Sequence, residues 1–125
     1  VSEKYPDIRK NYRSLRNQYF YEDEDYLIRP ARSAEEIVAE GRILHHCVGG
    51  DNYLNKHNTG RSTILFLRSQ LAPETPYITI EICGTKILQW YGIRDTKPDE
   101  IRIERHLRRY IKALKEKEQI TSVTA

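Results

Sequence analysis

Methionine is absent from the 125 residues, and cysteine occurs twice, phenylalanine twice and tryptophan once. The missing methionine and the start at Val1 lead to the expectation that the chain is a fragment of a longer protein, or one whose initiator was removed. Cys47 and Cys83 are too few for a disulfide framework and lack the paired spacing of a structural zinc site, so both read as reduced thiols. No apolar run approaches the ~20 residues needed to cross a bilayer, and the charged stretch from Glu3 to Arg16 holds no signal-peptide hydrophobic region. A cytoplasmic protein without membrane association is therefore expected. A Gly-rich phosphate loop, HExxH and GxSxG are also missing, which removes the common nucleotide, metalloprotease and hydrolase signatures and leaves no cofactor implied. Neither an internal repeat nor an interdomain linker divides the chain.

What is present fits one domain, 1–125, with a small core at 27–118 and an N-terminal helix or arm at 1–25. Hydrophobic residues make up 38% and charged residues 31%, enough apolar side chain to fold. The net charge of +3 is mild but uneven, with Arg9, Lys10, Arg13 and Arg16 at one end and Arg102 to Lys117 at the other. That layout allows nucleic-acid affinity without demanding it. Tyr12, Tyr19, Phe20 and Tyr21 interleave with the first basic group, either to stack on single-stranded bases or to dock on the domain surface.

The pattern predicts an α+β fold in which a small antiparallel sheet of three strands, at about 62–69, 77–82 and 86–91, packs with helices at about 34–47 and 98–117. Tyr26-Leu27-Ile28 is a short extended piece ended by Pro30. Ser33-Ala34-Glu35-Glu36 matches a capping box for the first helix, whose stripe Ile37, Gly41, Leu44 and Val48 ends at Gly49-Gly50. Continued helical geometry would place Cys47 beside that buried stripe and turn His46 away from it. From Asp51 to Gly60 the turn formers predict an ordered loop with one helical turn around Tyr53 and Leu54. Thr96 and Pro98 mark the start of the last helix, with Ile101, Ile103, Leu107, Tyr110, Ile111 and Leu114 as its apolar side, and the tail from Gln119 to Ala125 reads as frayed.

Register in the second hairpin is informative. A two-residue loop at Gly84-Thr85 would set Glu81 opposite Leu88 and mix polar with apolar. A three-residue loop from Cys83 to Thr85 instead gathers Thr79, Glu81, Gln89 and Tyr91 on a polar face and leaves Ile78, Ile80, Ile82, Leu88 and Trp90 on a core face. The second arrangement is expected.

Chemistry concentrates in two places. In Leu44-His45-His46-Cys47-Val48-Gly49-Gly50 a thiol adjoins two imidazoles, which suggests nucleophilic catalysis, although neighbouring helical side chains diverge by about 100°. The alternative is structural, with Cys47 buried and His45 and His46 capping a helix end. His45 or His46, Cys47, His57 and Glu81 are acceptable metal ligands but meet no spacing rule, so no metal is assigned. On the polar face, Arg68 is the expected ion-pair partner of Glu81; with Gln89 and Tyr91 the pair forms a cleft for a planar polar group, a base or an amide, or else a cross-strand structural pair.

Glu40-Gly41, Leu44-His45-His46-Cys47-Val48-Gly49, Tyr53, Gly60 to Arg68, Thr79-Ile80-Glu81-Ile82 and Gln89-Trp90-Tyr91-Gly92, in that order, resemble the PcfJ-like protein family over about residues 27–98. The resemblance implies the setting of conjugative plasmids, phages and related bacterial mobile elements, and a role in nucleic-acid processing or transfer. It also allows protein partners in a larger mobile-element complex. Three readings follow. In the first, a nucleic-acid-associated domain uses Arg102, Arg105, Arg108 and Arg109 as a contact surface. In the second, His46, Cys47 and Glu81 are catalytic, and His45, Tyr53, Arg68, Gln89 and Tyr91 bind substrate. In the third, the chain is a protein-interaction module.

Overall fold

The computed structural model describes residues 1–124, and its frame is one antiparallel sheet of five strands in chain order, clad by helices on both faces. The strands are β1 (Tyr21–Glu22), β2 (Tyr26–Pro30), β3 (Thr63–Ser69), β4 (Ile78–Cys83) and β5 (Lys86–Tyr91). Two more strands are present than the pattern predicts. The Tyr26 segment, short as it is, pairs along its whole length with β3 from Tyr26↔Ser69 to Pro30↔Leu65. Pro30 fits because it sits at the strand's end, where no ladder bond is lost.

The helices are α1 (Pro6–Lys10), α2 (Tyr12–Tyr19), α3 (Ala34–Leu44), α4 (Asp51–Thr59) and α5 (Glu100–Thr124). The N-terminal segment is thus helical, and it docks its rings: Tyr5 and Tyr19 are buried. Instead of a loop after Gly50 there is a full helix, because Leu54 and His57 are buried along one side of it and outweigh the turn preference of its asparagines. The last helix begins later than predicted, at Glu100, and continues through the segment expected to fray as far as Thr124. Ala125, the end of that expected tail, lies outside the described residues.

Each sheet face carries its own core. Ile28, Leu65, Leu67, Ile78, Ile80 and Ile82 point toward α2 and α5, where Ile103, Leu107 and Tyr110 meet them. Ile64 and Phe66 point the other way, toward Ile8 of α1, Ile37 of α3 and Leu54 of α4. Tyr110 is fully buried and donates its hydroxyl hydrogen to the Tyr19 carbonyl at 2.7 Å, fastening α5 to α2. Ser33 caps α3 as expected by accepting from the Glu36 amide at 3.1 Å. The Glu36 carboxylate, however, takes the Arg29 guanidinium and the Arg32 amide rather than closing a capping box.

The β4–β5 hairpin has the two-residue connection, with Cys83↔Lys86 and Ile82↔Ile87, yet Glu81 faces Gln89. A bulge between Glu81 and Ile82 reconciles the two, since the extra residue on β5, Leu88, restores the offset a longer loop would have given. The polar face is therefore as anticipated, whereas Leu88 is half exposed and not part of the core face.

His57 of α4 is buried, and its Nδ1 accepts the Ile64 amide hydrogen at 2.9 Å, so the ring is neutral with its hydrogen on Nε2. Burial pushes its pKa down to about 4 from 6.5. Between those values the unfolded chain binds a proton that the folded protein refuses, so this contribution to stability is complete above about pH 6.5 and lost as pH falls toward 4. Buried His106 is shifted down by desolvation as well and adds in the same direction. Denaturant titrations at pH 7 and 4.5 are expected to show wild type losing on the order of 2–3 kcal/mol more than His57→Asn. Equal losses would refute the assignment.

Candidate functional site

The polar face of the sheet is covered by α3 and α4 over β2 and β3 and left open over β4 and β5. A cavity of about 440 Å³ occupies the open part. That is within the ~300–1,000 Å³ usual for small-molecule sites. Its walls come from the turn after α3, from Tyr53 of α4 and from the polar residues of β4 and β5.

The turn takes its shape from three backbone facts. α3 stops at Leu44 because His45 adopts the left-handed conformation (φ 54°, ψ 49°), and the His45 and His46 amides both bond to the Gly41 carbonyl. Cys47–Gly49 then forms a short 3-10 turn that folds back on α3. A Cβ on Gly41 would lie 2.8 Å from the Gly49 nitrogen, and one on Gly49 would lie 3.2 Å from the Val38 Cα. The two glycines are thus required by contact between backbones.

This geometry reverses the expected placement of the turn residues. Because the helix ends before Cys47, the thiol is exposed rather than beside the buried stripe, and it lines the cavity. His46, expected to point away, turns inward instead: its Nε2 lies 2.9 Å from Thr79 Oγ1, and the Val48 amide donates to its Nδ1 at 3.4 Å. His45 is exposed and outside the cavity wall.

Arg68 does not pair with Glu81. Its guanidinium makes a bidentate ion pair with Glu40 of α3, at 2.8 and 2.6 Å, with both side chains almost wholly buried. Strand alternation accounts for this: Arg68 points beneath α3, and Glu40 hangs over it from the stripe shared with Ile37, Gly41 and Leu44. Thr79 donates to Glu40 Oε2 at 3.2 Å, which leaves its oxygen to accept from His46. The hydrogens are thereby assigned: Arg68 to Glu40, Thr79 to Glu40, His46 Nε2–H to Thr79. With Nδ1 taken by Val48, His46 has no free lone pair with which to deprotonate Cys47.

Glu81, buried at the cavity floor, is satisfied by other partners. Ser62 donates to its Oε2 at 2.7 Å, Gln89 Nε2 donates to its Oε1 at 2.9 Å, and Lys56 lies 3.6 Å away. Gln89 Nε2 also donates to the Tyr53 hydroxyl at 2.9 Å. Since a carboxylate only accepts, Glu81 fixes the orientation of the Gln89 amide. Tyr91 lines the same cavity. Of the residues singled out from sequence, the structure thus brings together His46, Cys47, Tyr53, Glu81, Gln89 and Tyr91, and it leaves out His45 and Arg68. Sequence reasoning missed Glu40, Ser62, Lys56, Thr79 as a relay and Asp95. Glu40 alone had a readable signal, a carboxylate inside an apolar helical stripe. Among the described residues no His, Cys, Asp and Glu grouping could hold a metal ion.

The surface arginines divide as well. Arg102 lies 3.4 Å from Asp25 and Arg109 3.7 Å from Asp23, while Arg105 and Arg108 are exposed without an ion pair among the described residues. No helix among the described residues is long and apolar enough to cross a membrane.

The relay makes His46 an Nε2–H tautomer held by Thr79. Nitrogen NMR is expected to show that single tautomer in wild type, and a mixture in Thr79→Val with an unchanged His57 signal. Stability should fall by about 1–2 kcal/mol as Glu40 loses a donor. Mixed tautomers already in wild type would sink the relay.

Comparison with known proteins agrees with the motif reading. Over 75 residues, 60% of the chain, the sequence is 33% identical to the uncharacterized protein Lin1253/Lin1744 of Listeria innocua, and the chain spans 17% of that protein's length. No solved structure matches. A sequence model of the PcfJ-like protein family matches residues 2–119, nearly the whole length, and the chain belongs to that family.

Proposed function

We propose that the chain is a nucleic-acid-associated domain of a bacterial mobile element, a conjugative plasmid or a phage, that grips the phosphate backbone along α5. The observation that carries this reading is a stripe of four cations, Arg105, Arg108, Lys112 and Lys115. All four are exposed, and none has an ion-pair partner among the described residues. Their spacing keeps them on one side of the helix, over about 15 Å at ~1.5 Å rise per residue. Arg102 and Arg109 contribute less, because Asp25 and Asp23 already neutralise them. Unpaired cations in a row release counterions from a phosphate chain and give affinity that depends on salt and not on sequence.

The test is binding of labelled single- and double-stranded DNA and RNA across a salt series. Arg105→Glu with Arg108→Glu is expected to weaken binding to all sequences alike and to flatten the log–log salt slope by about 1–2, near 0.7–0.9 per lost phosphate contact. No salt-sensitive binding at micromolar wild-type protein would defeat the proposal.

Exposure of Cys47 inside the cavity favours one second reading, a thiol enzyme acting on an amide or acyl group. Cys83 is exposed too and provides an internal standard. An activated Cys47 would alkylate faster than Cys83 at neutral pH; equal rates would leave the cavity as a binding site.

A further inference from the structure

Building on the nucleic-acid reading proposed for α5, we infer that the groove between β5 and α5 is a base-stacking subsite, so that the nucleic acid held along α5 is a single strand.

Leu88 is an apolar side chain that neither core uses, left half exposed by the β5 bulge. With Ile87 and Trp90 of β5 and Ile111 of α5 it walls a groove of about 460 Å³. Arg108, one of the four cations of the α5 stripe, lines the same groove, so apolar surface and cation row are continuous. Lys97 lines it too, exposed and without a carboxylate partner among the described residues. Its ammonium lies 3.8 Å from the centre of the Trp90 ring and donates to the Trp90 carbonyl at 2.9 Å. A mobile cation thus covers the face of the chain's single tryptophan.

A nucleotide offers a replacement for each half of that contact. Its phosphate takes the ammonium, and its base takes the ring face with Leu88 and Ile87 at the rim. Stacking of a base on an aromatic ring is stronger than a cation–π contact at an exposed site, so the exchange favours the bound strand. A duplex cannot make it, because its base faces are already stacked on one another and it presents phosphate outward. Charge argues against other occupants of the groove. Glu104 is the single carboxylate among the lining residues, against Lys97 and Arg108. A second copy docked about a two-fold axis would set this face against itself and oppose the stripe with the same four cations.

The experiment reads Trp90 emission and affinity across a salt series. Its probes are oligothymidylate, oligouridylate, a thymine–adenine duplex of the same length, an abasic strand of that length and oligoglutamate. At salt high enough to suppress the phosphate contribution, at least one of the two pyrimidine strands is expected to quench Trp90 and to bind about tenfold tighter than the duplex. The tighter of the two identifies DNA or RNA as the source. The abasic strand keeps the phosphates and tests the unmodified protein; it is expected to lose the preference and to leave the emission unchanged. Leu88→Ser, at a half-exposed position, is expected to weaken strand binding about threefold while duplex binding holds. Strand and duplex bound alike with Trp90 unquenched would overturn the inference and leave the phosphate contacts of α5 standing. Equal quenching by the abasic strand or by oligoglutamate overturns it too, as does an emission change with protein concentration alone, the sign of a second copy. Absence of salt-sensitive binding to every nucleic acid removes the α5 reading itself, so the two failures are distinguishable.

Discussion

The Arg68–Glu40 pair is the interaction on which the cavity depends. Two opposite charges are held under α3 at hydrogen-bond distance, with almost no exposure. Removing such groups from water costs several kcal/mol per ion, and their attraction roughly repays it, so the pair adds little net stability compared with well-packed apolar residues. Its effect is on geometry. A bidentate guanidinium–carboxylate contact tolerates little rotation, so α3 is fixed on β3 at one height and angle. The Arg68 guanidinium also lies 4.6 Å over the Phe66 ring, which limits it from the other side. Loss of either partner alone would strand a buried charge, a change of about 3–5 kcal/mol.

What the pair fixes then propagates outward by contact. Glu40 holds Thr79, and Thr79 holds His46. Gly41, one residue beyond Glu40, admits the backbone of the turn that carries His46 and Cys47. The left-handed His45 costs about 1 kcal/mol in a residue that is not glycine or asparagine, and it is retained where the chain must leave the helix immediately. Strain, close glycine contact and a buried charge thus converge within ten residues. Such agreement of several local costs on one segment is the usual mark of a position selected for something other than stability.

The sequence was legible where one period governed a segment. The apolar run of β3 and the turn-bounded segments of β4 and β5 revealed the strands, and the polar face followed from choosing the hairpin register that keeps polar and apolar side chains apart. It was illegible where two signals competed. Asn52, Asn55 and Asn58 concealed α4, since burial of Leu54 and His57 acts through tertiary contact that propensity does not contain. The bulge at Leu88 yielded the right facing residues from the wrong turn, because a loop residue and a bulge residue shift the register equally. Arg68 had two carboxylates to choose from, and the choice rested on how α3 crosses the sheet. His45 gave no warning of a helix end, as glycine would have done. The placements of Cys47 and His46 were reversed for that one reason.

Charge divides the two faces of the molecule. Among the described residues, four cations without an ion-pair partner lie in a row on the α5 side, whereas the cavity is lined by Glu81 and Asp95 and by no lysine or arginine. Lys56 screens Glu81 from below at 3.6 Å and sits 5.3 Å from the centre of the Tyr53 ring, so its charge is already engaged. A phosphate entering the cavity would lose its hydration against two negative groups and gain no positive one. In this fold the edge strand β5 lies between a basic helix and an acidic cavity, so the two surfaces are kept apart.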